Sequence, residues 1–501
     1  MPPAEPGAPP NLRLSTGRGR LVLTATILGS SMAFIDSVVV GIAQPTIGRE
    51  FHADIAGLQW VSIGYLLTLA GLLLLGGALG DRLGRRRIYL TGIVWFGLAS
   101  LLCAVAPSIT LLILFRALQG VGGALLTPGG LAIIEASFRR QDRAAAIGAW
   151  SGFGGISTAF APFLGGWLIS AVSWRFIFVI NLPIALAVVW LGLRYVPETR
   201  DVEESGPPDA AGSLLAVLGL VGISYGLVEG PSLGFGNAAV LVSLLGGVLA
   251  AVLFIVQELR APEPILPLSL FRSMQFSATN AVTLIVYAVL GGVFFLLPIE
   301  LIQVAHYSPL AAGAAGLPVT LLLLVLSSRS GRIASQIGPR LQMALGPLVV
   351  AAGVALYTRV DAGGNYITEV LPAVVTFGLG LAITVAPLTA TAMSSAPPRR
   401  AGIASAVNNT VARTGSLLFT AILPPLAGIT GASYLHPAVF QTGFHTAVII
   451  AAVVCAAGGL LAAATIRNPR PQQPEKTAPE DMSPSVVAVP PAPLHPGHAS
   501  S

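Results

Sequence analysis

The residues of this sequence that can carry chemistry are a few charged side chains inside long apolar stretches. Asp36, Arg116 and Glu300 each lie within a stretch of apolar residues that is long enough to cross a membrane. A charge at membrane depth costs free energy unless it is paired, protonated or in contact with a water-filled cavity, so each one is a functional candidate. The chemistry that we expect of such a carboxylate is the gain and loss of a proton.

Asp36 and Arg116 are predicted to lie at the same depth. Both are within about two turns of the same membrane surface, although the two apolar stretches that contain them run in opposite directions. At ~1.5 Å of rise per residue, both side chains lie roughly 10–12 Å in from that surface. The sequence therefore predicts two opposite charges at one level of the membrane.

Two further charges lie in the second half of the chain, and each leaves more than one interpretation open. Glu300 is either a second protonation site, or a docking point for cationic solutes, or a residue of the outer rim in water. Arg413 lies midway along an apolar stretch, with Asn408 and Asn409 about one helical turn away. These three side chains either line a central cavity or form a network that staples helices together.

The elements that position these residues follow from composition. The chain has 501 residues, of which 54% are hydrophobic and only 10% charged, with a mean hydropathy of +0.81. Fourteen stretches, from 21–44 to 443–466, are long enough to span a membrane, which predicts an all-α polytopic membrane protein. The first stretch is too long for the core of a cleaved signal peptide and predicts an anchor that stays in place.

The charged residues indicate an orientation and exclude several functions. Of the 27 basic residues, 22 lie in the two tails and in alternate loops, which predicts that both termini are cytoplasmic. They are spread over short loops rather than gathered into a patch, so nucleic-acid binding is not expected. The two cysteines lie in apolar stretches, so we expect no disulfide, metal site or cofactor. No phosphate-binding loop is present, so pumping should draw on an ion gradient.

A charged run between the second and third stretches has a partial repeat later in the chain. The run is Gly77-Ala-Leu-Gly-Asp-Arg-Leu-Gly-Arg-Arg-Arg87, and it is predicted to be a tight, water-facing loop. In Gly331–Arg340, Gly338 matches Gly84 and Arg340 matches Arg86. The repeat predicts two parallel six-helix halves with a substrate site between them and with the seventh and eighth stretches as an inserted pair.

These observations predict five regions. Residues 1–20 form a disordered cytoplasmic tail, 21–200 an N-terminal six-helix bundle and 201–265 two inserted transmembrane helices. Residues 266–468 form a C-terminal six-helix bundle, and 469–501 form a second disordered cytoplasmic tail. The tails are rich in proline, serine and alanine, a composition that cannot bury a core.

The charged run resembles the signature loop G-x-L-x-D-R-x-G-R-R of the major facilitator superfamily. Segments 36–45, 112–124, 161–166 and 174–183 are similar to motifs of its fourteen-helix drug:proton antiporter branch, although Ser157 and Ala161 replace two glycines of the antiporter motif. The resemblance implies the major facilitator fold, with two six-helix bundles plus two inserted helices. It also makes the first and fourth helices neighbours, so that Asp36 and Arg116 would pair and respond to a proton. A purely structural ion pair is the alternative.

The resemblance also implies roles for three groups of residues. A gating latch would be formed by the signature loop and an acid at the end of the fourth helix. The alternative is that the loop only sets the membrane topology. The residues of the latch are Gly77, Asp81, Arg82, Gly84, Arg85, Arg86 and Glu135. A helix bend with close contacts is expected at Pro162, Gly165 and Gly166. The substrate cavity would be lined by Trp60, Tyr65, Gln119, Tyr287, Phe294, Asn408, Asn409 and Arg413, each of which has packing as its simpler explanation.

The predicted function is proton-coupled export of amphipathic small molecules, as in drug or antibiotic efflux, by alternating access and without enzymatic activity. The expected partners are a lipophilic or cationic substrate, protons and the lipid bilayer, and the protein is expected to be a monomer in the cell membrane. One alternative is a proton-coupled importer or symporter of a nutrient, which Ser157 and Ala161 keep open. A polytopic membrane enzyme or sensor is the other.

Overall fold

The computed structural model describes residues 12–200, 209–262, 264–397 and 400–468, and within them the chain forms fourteen helices of 20 residues or more. They are α1 (Gly17–Phe51), α2 (Ile55–Leu83), α3 (Arg85–Ala104), α4 (Ile109–Ser137), α5 (Arg140–Ala171), α6 (Phe176–Tyr195), α7 (Ala210–Leu233), α8 (Ala238–Arg260), α9 (Met274–Val304), α10 (Pro309–Ile337), α11 (Arg340–Arg359), α12 (Tyr366–Ser394), α13 (Ala401–Leu426) and α14 (Pro437–Thr465).

The predicted all-α membrane architecture is confirmed. Thirteen of the helices in the described part of the chain are long and apolar enough to cross a membrane. The other, α13, has 26 residues but is less apolar, because it carries Asn408, Asn409 and Arg413. Side chains of this kind inside a spanning helix are tolerated where they face other helices or a polar cavity.

Equivalent residues end and start the helices in the two parts of the chain. The two non-glycine residues with positive φ in the described ranges, His52 and His306, follow α1 and α9. Gly84, with a φ of 114°, separates α2 from α3, and Gly338, with a φ of 87°, separates α10 from α11. The backbone conformation at both glycines is one that L side chains rarely adopt, so the sequence places glycine there.

The predicted water-facing loop between Gly77 and Arg87 is wrong in its extent. Helix α2 continues to Leu83 and α3 begins at Arg85, so Gly84 is the whole interruption. The later repeat behaves in the same way, since α10 continues to Ile337. Charged residues at helix ends are compatible with helical backbone, and a single positive-φ glycine is enough to reverse the chain.

The helices pack in two sets with the same internal pairing. In the first set, α1 contacts α4, α5 and α6, α4 contacts α2 and α3, and α3 also contacts α6. The second set, α9–α14, repeats each of these contacts with the helix number raised by eight. The sets meet where α2 contacts α13, α5 contacts α10 and α1 contacts α9, while α7 packs on α8, α2 and α13. This packing supports the proposed division into two six-helix bundles with an inserted pair.

Small residues allow the close crossing of α5 and α10. A Cβ at Gly166 would clash with the carbonyl oxygen of Pro309, and one at Gly313 would clash with that of Pro162. A Cβ at Gly165 would meet Val39 of α1 at 2.7 Å. Side chains would push these helices apart, as is common at helix contacts within membranes.

The predicted disordered tail over residues 1–20 is too long. Helix α1 begins at Gly17, where the Thr16 hydroxyl accepts a hydrogen bond from the Gly19 amide at 3.1 Å. The Leu12 amide donates to the Ser137 carbonyl at the end of α4, also at 3.1 Å. These hydrogen bonds hold the chain from residue 12 onward. The remaining parts of the predicted tails, 1–11 and 469–501, lie outside the described residues.

Candidate functional site

Asp36 of α1 and Arg116 of α4 form a buried ion pair. Arg116 Nη1 lies 2.5 Å from Asp36 Oδ2, and each residue is only 1% exposed. The contact expected from the matching depths of the two residues is therefore present. A buried pair of this kind is held only when further hydrogen bonds satisfy its remaining polar atoms.

Two side-chain amides supply those hydrogen bonds. Gln119 Nε2 donates to Asp36 Oδ1 at 2.8 Å and to Ser100 Oγ at 2.7 Å, and its Oε1 accepts from Arg116 at 2.5 Å. Asn181 Nδ2 lies 3.4 Å from Asp36 Oδ1 and 3.2 Å from Ser100 Oγ. The carboxylate is thus surrounded by donors from two helices, α4 and α6, while Ser100 of α3 accepts hydrogen bonds from both amides.

The guanidinium of Arg116 is enclosed by backbone and aromatic rings. Its Nε donates to the Val61 carbonyl of α2 at 3.2 Å, and its Cζ lies 4.4 Å from the ring centroid of Tyr65 and 5.7 Å from that of Phe178. Aromatic faces attract a cation. If Asp36 takes up a proton, it loses the charge that holds Arg116, so proton uptake would change the contact between α1 and α4.

This arrangement changes the roles that the sequence indicated for three cavity candidates. Gln119 and Tyr65 are 0% and 1% exposed and belong to the surroundings of the ion pair rather than to an open cavity wall. The indole of Trp60 faces α7, where its Nε1 donates to Glu229 Oε1 at 2.8 Å. Residue type and spacing alone do not fix which side of a helix faces its neighbours, because every face here meets either another helix or lipid.

Glu300 is a second buried acid, in α9. Glu300 is 0% exposed, which contradicts its interpretation as a water-exposed residue of the outer rim. Neither carboxyl oxygen has a hydrogen-bond partner in the described part of the chain. It begins a π-helical turn, Glu300–Val304, shortly after Pro298, and such turns are frequent at functional sites. The neutral acid is the form that these apolar surroundings accommodate.

Arg413 and its neighbouring asparagines separate into different roles. The Nε of Arg413 is buried with no hydrogen-bond partner among the described residues. Asn408 instead donates to Asn280 Oδ1 at 3.1 Å and Thr283 Oγ1 at 2.8 Å. Asn408 therefore staples α13 to α9, the alternative that the sequence left open.

The other cavity candidates are less closely engaged. Asn409 is exposed, and Phe294 is 47% exposed with its ring edge-on to Phe377 at a centroid distance of 5.9 Å. Tyr287 is half-buried, and its carbonyl accepts from Ser416 Oγ at 2.8 Å. Their part in substrate binding stays a prediction.

The signature cluster around Gly84 is held to the end of α6. Asp81 and Arg85 form an ion pair of 2.7 Å along the chain, and the Arg86 amide donates to Glu198 Oε1 at 3.0 Å. Arg86 Nε lies 3.6 Å from Glu198 Oε2. The acid partner of Arg86 is therefore Glu198, whereas the predicted partner, Glu135, is exposed. The sequence did not single out Glu198, because it follows a different helix.

The remaining members of the cluster lie along α2. Arg82 is in its last turn, and a Cβ at Gly77 would contact Pro128 of α4 at 3.7 Å. The repeat also has a structural counterpart. Arg86 donates to the Val196 carbonyl at the end of α6, and Arg340 donates to the Ala463 carbonyl in the last turn of α14. We call the end that contains Gly84 and Gly338 the arginine-rich end.

The opposite end is closed by contacts between the two sets of helices. Gln59 of α2 is 1% exposed, and its Nε2 donates to the carbonyls of Thr420 and Ala421 in α13 at 2.7 and 2.9 Å. These carbonyls lack helical donors because the residues four positions later are Pro424 and Pro425. The Gln59 amide therefore satisfies both acceptors from the other set.

Two further hydrogen bonds join the sets at this closed end. Tyr434 Oη donates to the Ala53 carbonyl at 2.6 Å, and the Ile55 amide donates to the Gly431 carbonyl at 2.9 Å. Tyr434 is fully buried. The conformation described here is therefore closed at the end opposite the arginine-rich end. No group of three or more His, Cys, Asp or Glu side chains that could hold a metal ion occurs in the described ranges.

Comparison with known proteins agrees with the family resemblance of the sequence motifs. The family profile of the Major Facilitator Superfamily matches residues 26–420. The tetracenomycin C resistance and export protein of Streptomyces glaucescens is 36% identical over 409 residues, which are 81% of this chain and 76% of that protein. The puromycin resistance protein pur8 of Streptomyces alboniger is 36% identical over 417 residues, 82% of each chain.

Solved structures show the same fold. A bacterial homologue of the human lysosomal transporter Spinster, in an inward-facing and unoccupied conformation, superimposes with a TM-score of 0.62. The two chains are 19% identical, and the match covers 90% of this chain and 98% of the other.

Proposed function

Because this chain belongs to the major facilitator superfamily, we propose that it is a proton-coupled exporter of amphipathic small molecules. Relatives named for resistance to tetracenomycin C and puromycin support an antibiotic-like substrate class. The protein is a multi-pass membrane protein, and we assign its arginine-rich end and both termini to the cytoplasm of the cell, with a monomer as the working unit.

The observation that carries the proposal is the buried pair of Asp36 and Arg116. A carboxylate that is 1% exposed within the membrane, with donors from two other helices, is the group whose protonation most changes helix contacts. With Asp36 charged, Arg116 is neutralised and α1 is held to α4. With Asp36 protonated, Arg116 seeks another acceptor, so proton binding favours a different helix arrangement.

Alternating access would use the two ends of the molecule in turn. The hydrogen bonds of Gln59 and Tyr434 close the far end in this conformation, which leaves the substrate path facing the arginine-rich end. In the other conformation these bonds would break while the arginine-rich end closes. Glu300, in the second set of helices, would carry a proton on its own.

The experiment is efflux of a fluorescent amphipathic dye from cells that express the chain, with and without a protonophore. Wild-type efflux should stop when the proton gradient collapses. Asp36→Asn should lower efflux by at least about tenfold, because an amide takes up no proton at this site. Asp142→Asn, the same chemical change at an acid outside the buried pair that accepts a hydrogen bond from the Leu14 amide, should leave efflux intact.

Undiminished efflux both under the protonophore and in Asp36→Asn would refute proton coupling through this residue. The direction of transport is tested separately in inside-out vesicles. An exporter accumulates dye in such vesicles when their interior is acidified, whereas a nutrient symporter loses it. Absence of any gradient-driven movement, with turnover of a substrate instead, would favour a membrane enzyme.

A further inference from the structure

An apolar groove of about 460 Å³ lies between α2, α4 and the inserted helix α7. Its walls include Trp60, Thr68, Leu111, Leu114, Val217 and Val221. The volume is within the range of small-molecule sites in proteins, roughly 300–1,000 Å³. Because Leu114 and Val221 are 53% and 37% exposed, the groove opens toward the surface that lipid covers.

One face of α7 changes from apolar to acidic along the helix. Val217, Val221, Tyr225 and Glu229 follow one another at intervals of four residues, so they form a single stripe along the helix. The first two are apolar and line the groove, the third is aromatic and the fourth is an acid. The stripe covers about 18 Å at ~1.5 Å per residue.

The end of the stripe is built to receive a positive charge. Glu229 Oε1 accepts a hydrogen bond from Trp60 Nε1 at 2.8 Å, and the rings of Trp60 and Tyr225 lie 6.3 Å apart at an angle of 46°. In the described part of the chain no arginine forms an ion pair with Glu229. Two aromatic faces beside a carboxylate without a protein cation are the surroundings that organic cations prefer.

We infer that this groove is a second binding site, specific for lipophilic organic cations, which rests on the proposed transport of amphipathic compounds. The apolar body of the ligand occupies the space between α2, α4 and α7, and its positive centre lies at the end of the groove formed by Trp60, whose indole is next to Tyr225 and Glu229. Helix α7 of the inserted pair forms one wall of the site. Because α7 also contacts α13, the site lies beside a seam between the two sets of helices.

The test is equilibrium binding to the purified full-length chain in nanodiscs of a zwitterionic lipid. Tetraphenylphosphonium and tetraphenylborate have the same shape and opposite charge, so they separate recognition of charge from recognition of shape. Glu229→Gln should weaken binding of the cation about tenfold, which corresponds to about 1.4 kcal/mol, and should not weaken binding of the anion. Glu369→Gln, which removes another carboxylate near the closed end, should leave both affinities unchanged.

A second variant keeps the test decisive if the carboxylate also affects folding. Val221→Trp fills the groove from a partly lipid-exposed position and should reduce cation binding at an unchanged elution profile. The inference is overturned if Glu229→Gln binds the cation as the wild type does. It is also overturned if the two probes bind equally and Val221→Trp removes both, because the groove would then hold any apolar chain, including lipid.

The same measurements separate this site from the transport mechanism. Asp36→Asn should lose efflux and keep binding of tetraphenylphosphonium in the groove. If the wild-type chain exported nothing, the proposed function would fail, while the effect of Glu229→Gln on binding would still decide whether the groove exists as a cation site.

Discussion

Two of the buried acids, Asp36 and Glu300, have opposite surroundings in the fold. Asp36 has a guanidinium at 2.5 Å and amide donors from Gln119 and Asn181, whereas Glu300 is fully buried without a hydrogen-bond partner among the described residues. The first site stabilises a charged carboxylate, and the second accommodates a neutral acid. Burial alone therefore does not define a proton site, because the donors around the carboxyl decide which protonation state belongs to the conformation.

The difference suggests a division of labour between the two sets of helices. In this conformation, closed at the end opposite the arginine-rich end, a proton would be absent from α1 and present on α9. The next three predictions test that asymmetry, from the largest expected effect to the smallest.

The largest effect is expected from removing the partner of Asp36. Arg116→Leu leaves a buried, uncompensated carboxylate and should destabilise the protein by about 3–5 kcal/mol. The measurement is the thermal unfolding temperature of the purified protein in detergent. The double variant Asp36→Asn/Arg116→Leu should recover most of the loss, because no charge is then left unpaired. A single Arg116→Leu variant with wild-type stability would contradict the proposed charged state of Asp36.

A smaller and different effect is expected at Glu300. Glu300→Gln has nearly the same shape as the neutral acid, so the unfolding temperature should not fall. If the acid exchanges a proton during transport, the amide should flatten the dependence of efflux on external pH. A marked loss of stability in Glu300→Gln would show that the carboxylate is charged in the fold, and it would remove the contrast with Asp36.

The smallest effect is expected from trimming one donor around Asp36. Asn181→Ala removes hydrogen bonds of 3.4 and 3.2 Å to Asp36 and Ser100 and should cost about 1–2 kcal/mol of stability. Asn409→Ala, at an exposed position, is the matched control and should change nothing measurable. Equal unfolding temperatures for these two variants would mean that Asn181 does not support the carboxylate.

The sequence predicts the architecture better than the site. Apolar length predicts the helices, and the charged run and its repeat contain the breaks at Gly84 and Gly338 without specifying them. The pairing of Asp36 with Arg116 follows from their equal depth together with the resemblance. The helical extent of the charged run was missed, because composition alone does not distinguish a polar loop from a polar helix end.

What the sequence does not predict is the partner of each polar residue across the fold. Glu198 is 112 residues from Arg86, and Gln59 is 361 residues from Thr420. No local pattern links such pairs, since their contact depends on how whole helices are packed. Asn181 lies within segment 174–183, and an amide at the depth of Asp36 is the pattern that indicates it.

The two prolines near the end of α13 have a consequence for how the closed end opens. When Gln59 moves away, the oxygens of Thr420 and Ala421 lose their donors, and hydrocarbon offers no replacement. Water must therefore reach these carbonyls when the two sets of helices separate, so hydration of the seam and opening of this end occur together. Water therefore takes part in the opening step, and osmolytes that lower water activity should favour the conformation in which this end is closed.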